Sequence, residues 1–108
     1  MTTPLQRSGL PLATVTIYNK LASGGIWTWE AATPTYKGRA QPISGDARHT
    51  THGVHPLATD RVYIIPPATV AAGQELEIAG SRYEVLRVND HHRADADIEV
   101  QAKWLRAI

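Results

Sequence analysis

The stretch IEVQAKWL, residues 98–105, alternates without a break. Ile98, Val100, Ala102 and Trp104 share one parity, and Glu99, Gln101 and Lys103 the other. Successive side chains of an extended chain point to opposite faces, so this period predicts a strand with one side buried. Ile98, Val100 and Trp104 are therefore expected in the core, with Trp104 the largest of them.

The same period recurs outward from this stretch. Ala13, Val15 and Ile17 alternate with Thr14, Thr16 and Tyr18, which predicts a first strand with Val15 and Ile17 inward. RVYII at 61–65 reads as a short strand stopped by Pro66-Pro67. QELEI at 74–78 places Leu76 and Ile78 together, and AGSR at 79–82 reads as a tight turn. In RYEVLRVN at 82–89 the phase slips. Tyr83 and Val85 share one parity, Leu86 and Val88 the other, so a bulge is expected near Val85, with Tyr83 and Val85 in the core. TYKGRAQPI at 35–43 predicts a middle strand bent at Gly38, and Trp27 and Trp29 fall on a short strand after Ser23-Gly24-Gly25. No segment keeps apolar residues at helical spacing without Gly or Pro. Six or seven short strands at close spacing imply an all-β domain, a small antiparallel barrel or sandwich.

Two segments fall outside this frame. Residues 1–12 hold Pro4, Gly9 and Pro11 and read as a flexible N-terminal arm before a single domain over 13–108. Residues 44–60, SGDARHTTHGVHPLATD, read as one long loop. A structureless loop of more than about 15 residues is uncommon in a compact domain unless it has a function or is disordered.

Composition narrows the function. A chain of 108 residues is one domain. It has no Phe and one Met, so three Trp and four Tyr must fill the large core sites, and their polar tips need partners. A thin core of this kind implies that other subunits help to cover the surface. The formal net charge of +1 gives no global field toward nucleic acid or membrane. Without Cys, disulfides, thiolate chemistry and Cys-ligated zinc are excluded. Residues 1–12 lack the apolar stretch of a signal peptide, and no apolar run approaches the roughly 18 residues of a membrane span. The chain reads as soluble and intracellular, or as part of something assembled inside a cell.

The loop carries His49, His52 and His55 at a three-residue spacing, with Arg48 beside them. Three imidazoles suffice for zinc, but ligands are usually fixed by regular elements and a second shell, and this loop contains Gly45 and Gly53. Solvated loop histidines are expected, no metal site and no cofactor. His91-His92 reads the same way. Ser44, Asp46 and His49 lie together in sequence, whereas catalytic triads are assembled from distant positions on a rigid frame. No nucleophile elbow or phosphate-cradling loop is present, and no enzyme is expected. A barrel that binds single-stranded nucleic acid would stack bases on Trp27, Trp29 and Tyr36 and set Lys37, Arg39 and Arg48 against the backbone. The balanced charge lacks the basic footprint such modules carry.

The order of features resembles a known family. A strand ending VTIYN is followed by ASGGIWTW, a strand YKGRAQPISG, the long polar loop, DRVYIIP, and then AAGQELEIAGSRYEVLRVND before the last alternating strand. Its most specific part is the spacing of Gly73, Ile78, Gly80, Tyr83, Val85, Val88 and Asp90. Over residues 13–105 this resembles the head-closure proteins of tailed bacteriophages, also called head–tail joining proteins or stoppers. The resemblance implies a small β-barrel that forms a ring of twelve or six copies below the portal and adaptor ring. The loop after the third strand would point into the channel, placing Arg48, His49, His52 and His55 toward packaged double-stranded DNA. The tail terminator or tail tube would dock beneath. It implies a virion protein at the head–tail interface, assembled in the bacterial cytoplasm, with no membrane, cofactor or catalysis. Other connector components fit less well, since adaptors tend to be helical and tail terminators α+β.

Overall fold

The computed structural model describes residues 4–7, 9, 11–23, 25–32, 35–43, 57–90 and 96–108. A helical turn, α1 (Pro4–Arg7), precedes seven strands: β1 (Ala13–Ser23), β2 (Ile26–Ala31), β3 (Tyr36–Pro42), β4 (Asp60–Ile64), β5 (Glu75–Ile78), β6 (Ser81–Asn89) and β7 (Ile98–Ala107). The domain is all-β, as the period-two pattern predicts. The strands form one antiparallel sheet in the order β2-β1-β3-β4-β7-β6-β5, and a further β1–β5 pairing closes it. Six strands make the barrel, and β2 stands outside the closure.

Alternation explains the core. Val15, Ile17, Val62, Ile64, Leu76, Ile78, Tyr83, Val85, Ile98, Val100 and Ala102 form one buried cluster. Among the described residues nine branched side chains are essentially inaccessible. Each such side chain contributes about 1.5–3 kcal/mol on leaving water. The phase slip of β6 resolves at Leu86, where the register to β7 shifts between Val85 and Arg87. Ala79 and Gly80 both have positive φ (53° and 79°) and form the two-residue connection from β5 to β6. Such turns match the right-handed twist of the strands they join.

Gly38, expected to mark a bend, has a packing role. A Cβ there would collide with the Tyr63 carbonyl oxygen and lie 3.0 Å from Val15 Cγ2. Its bare backbone lets β1, β3 and β4 close up around the core. Three expectations are corrected. Asp60 belongs to β4, and Ala58 before it is fully buried, so the long loop ends sooner than the polar composition implies. The arm over 1–12 is partly ordered: Leu5 is buried, and its N–H donates to Asp97 Oδ2 at 2.8 Å.

The third correction is Trp104, which is 47% exposed and not a core residue. Ala102 is the last β7 residue opposite β4, because β4 begins at Asp60. Beyond it β7 pairs with β6 alone, and the register there shifts between Arg82 and Tyr83, leaving Leu105 as a second bulge. The inward parity continues past Ala102, but no wall remains to cover it. Accordingly, Ile98→Ala should cost about 3 kcal/mol in urea unfolding, and Trp104→Ala less than about half of that. Equal costs would show that Trp104 packs as tightly as the core.

Candidate functional site

Two regions depart from the barrel wall, and each is built by a strand that outruns its neighbours. The first is the rim between β3 and β4. Here the segment 44–56 leaves the described chain and returns. Its base is tied: the Ile43 N–H donates to the Thr59 carbonyl at 2.9 Å, and the Thr59 N–H to the Ala102 carbonyl at 2.9 Å. The Thr59 hydroxyl donates to Asp60 Oδ1 at 2.8 Å and accepts the Trp104 N–H at 2.7 Å. One threonine thus pins the loop root to β7 and holds the backbone on which exposed Trp104 stands.

Behind this rim Tyr83 is buried. Burial raises its phenol pKa above the ordinary tyrosine value, and the Asp60 carboxylate adds to the rise. A hydrogen bond with Ser81 acts in the opposite direction. This is a neutral tyrosine of the buried cluster, not an activated one.

The second region is a hairpin arm. Val15 and Tyr18 pair on both edges, Val15 with Tyr36 and Ile78, Tyr18 with Ala31 and Glu75. Past Tyr18 the β5 edge ends, yet β1 runs on to Ser23, paired only with β2 among the described residues. The arm therefore stands free of the barrel. Lys20, Trp27 and Trp29 share one face of the arm by register, with the Lys20 ammonium 4.3 Å from the Trp27 ring centroid. Trp27 is 62% exposed. Leu21 and Ile26, on the opposite parity, are also exposed.

The root of the arm is clamped from outside the barrel. The Arg82 guanidinium lies 3.6 Å from the Tyr18 ring centroid, and Arg82 Nε donates to Glu75 Oε1 at 2.8 Å. Arg82 and Glu75 are both buried, although they point away from the core. The Tyr18 hydroxyl donates to Glu77 Oε1 at 3.3 Å. Gln74 Nε2 donates to Asn19 Oδ1 at 2.6 Å, tying the first arm residue to the β5 approach. No motif announces this cluster, because it joins residues far apart in sequence. The alternation of Tyr18, Glu75 and Arg82 outward is its only trace.

Arg48, His49, His52 and His55 lie outside the described residues, as do His91 and His92. Tyr36, Lys37 and Arg39 are on β3, where the Lys37 ammonium donates to the Thr14 hydroxyl at 2.9 Å. They lie on the barrel wall, away from the free part of the arm that carries Trp27. Among the described residues no group of three His, Asp or Glu is placed to hold a metal ion. No protein-family model matches the chain, and no curated protein matches it.

Two measurements probe these groups. Ionising Tyr83 costs more in the folded chain than in the unfolded one. Its stabilising contribution is therefore intact below about pH 10 and is lost as pH rises toward the raised folded value. Tyr83→Phe should lose less stability than the parent between about pH 9.5 and 11, with equal losses contradicting the burial of the hydroxyl. Arg82→Leu strands a buried carboxylate and should cost about 3 kcal/mol, most of it recovered by adding Glu75→Leu. A double variant no more stable than Arg82→Leu alone would show that the ion pair is not what Arg82 contributes.

Proposed function

We propose that this chain is a head-closure protein of a tailed bacteriophage, a ring-forming stopper that closes the portal channel after DNA packaging and offers a docking face for the tail. The observation that carries the reading is the tied root of the 44–56 segment. A loop whose ends are held by adjacent strands and by Thr59 can be long, and can change, at little cost to the barrel behind it. A channel gate needs that arrangement: a rigid wall and an independent segment projecting from it. Arg48, His49, His52 and His55 fall within this segment. Repeated around a ring, one arginine and three histidines per copy make a moderately basic constriction. It holds a duplex through its phosphates, with no base readout. The barrel wall, with every strand paired on both edges over part of its length, suits the static part of a ring. In this reading the portal and adaptor lie above, the tail terminator or tail tube below, and the protein resides in the virion.

One observation favours a second reading, a module for single-stranded nucleic acid: exposed Trp27 with Lys20 over its ring. Base stacking on Trp27 would quench its emission. Titration with oligothymidylate should leave the emission unchanged if the chain closes heads, and saturable quenching would favour the module.

Replacing residues 46–56 with a short Gly/Ser linker should give a folded protein that still joins the connector. Heads carrying it should lose their genome before tails attach. The assay is the fraction of DNA-filled heads in a lysate blocked for tail assembly. Replacing Arg48, His49, His52 and His55 together should give a milder loss. Filled heads at the parental frequency from the linker variant would show that the segment is no gate.

A further inference from the structure

Among the described residues six large apolar side chains are exposed, and they divide evenly. Leu21, Ile26 and Trp27 are on the hairpin arm, while Leu57, Trp104 and Ile108 lie at the loop root and along the end of β7. Each group sits beside a strand edge that has no backbone partner among the described residues. The edge of β2 turned away from β1 pairs with nothing among the described residues. Among the described residues the edge of β7 over 103–107 turned away from β6 meets only Thr59, because β4 has already ended. The two stretches are of similar length and opposite charge. Glu30 is the one charged residue of β2, and Lys103 and Arg106 are the charged residues of 103–107.

We infer that the two edges belong together in different copies: the β2 edge of one subunit adds to the 103–107 edge of β7 in the next. Within one chain this pairing is excluded, since the arm leaves the barrel on the β1 side while β4 and β3 separate β1 from β7. The occupant is thus a second copy of this chain. Strand addition satisfies the N–H and C=O groups of the β2 edge and those of β7 beyond the Trp104 N–H, which Thr59 already accepts. Run antiparallel with Glu30 opposite Lys103, it sets Trp29 against Trp104 and Trp27 against Arg106, and leaves Thr28 diagonal to Ala107. The contact is head-to-tail, joining two different patches, and such a contact closes into a ring when its rotation permits. The inference rests on the proposed ring and names the surface that builds it.

The natural absence of cysteine makes the test clean. Thr28→Cys and Ala107→Cys are prepared as separate proteins and treated with a short bis-maleimide, alone and mixed. The expected result is a crosslinked dimer from the mixture, little from either protein alone, and a ladder of multimers from the double variant. Glu30→Lys should lower the mixed yield about fivefold, the size of one strong cross-strand charge pair. Adding Lys103→Glu to the partner should restore it. A mixture no better crosslinked than its components overturns the inference, as does efficient crosslinking of either protein alone, which would mean a two-fold contact. Electron microscopy of the same samples separates the two proposals. Rings without the mixed crosslink would refute the arm contact and leave the ring. Mixed crosslinks in open chains only, with heads that retain DNA in its absence, would uphold the contact and refute head closure.

Discussion

Four residue pairs hold this molecule in its shape: Val15 with Ile78, Thr16 with Glu77, Ile17 with Leu76 and Tyr18 with Glu75. They turn a seven-stranded sheet into a barrel. Without them β1 and β5 would both be edges, and a core of aliphatic side chains with a single buried tyrosine would be open along one side. With them, Val15, Ile17, Leu76 and Ile78 face the same interior from adjoining strands. In so small a domain much of the unfolded surface stays exposed even after folding, so closure of this one seam matters disproportionately.

The seam also creates what lies outside it. β5 supplies four residues, β1 eleven. The surplus cannot enter the barrel and becomes the arm. Arg82, packed between Tyr18 and Glu75, holds the point where β1 leaves the wall. Buried ion pairs of this sort specify geometry more reliably than they stabilise. The same mismatch of lengths acts on β7, which outruns β4 after Ala102 and leaves Trp104 uncovered. Both exposed apolar groups are therefore consequences of strand length, and in the proposed ring each completes the other.

Much of this was legible in the sequence, and the failures have a common cause. Alternation reports which side of a strand a residue faces. It identified the inward residues of β1, β5 and β7 up to Ala102, and the slip between Val85 and Leu86 marked the bulge. It cannot report whether a neighbouring strand continues far enough to cover that side, which is why Trp104 has the parity of a core residue and the exposure of a surface one. Trp27 presents the same ambiguity: a tryptophan flanked by Ile26 and Thr28 reads alike on a barrel strand and on a free arm. The Arg82–Glu75 pair depends on the register of β5 against β6, which no local pattern encodes. Of the candidate site, the sequence marks the polar run 44–60, while its anchor, Thr59 with Asp60 and Trp104, becomes visible only once β4 and β7 are side by side.

We propose that this barrel is one subunit of the ring that closes a DNA-filled head. Cryo-electron microscopy of DNA-filled heads that lack tails tests it most directly. In that role a symmetric ring of six-stranded barrels is expected below the portal. Each should have its β3–β4 rim toward the channel axis and its hairpin arm laid on the neighbouring subunit. A neck whose density is fully accounted for by other proteins, with no place for this barrel, would contradict it.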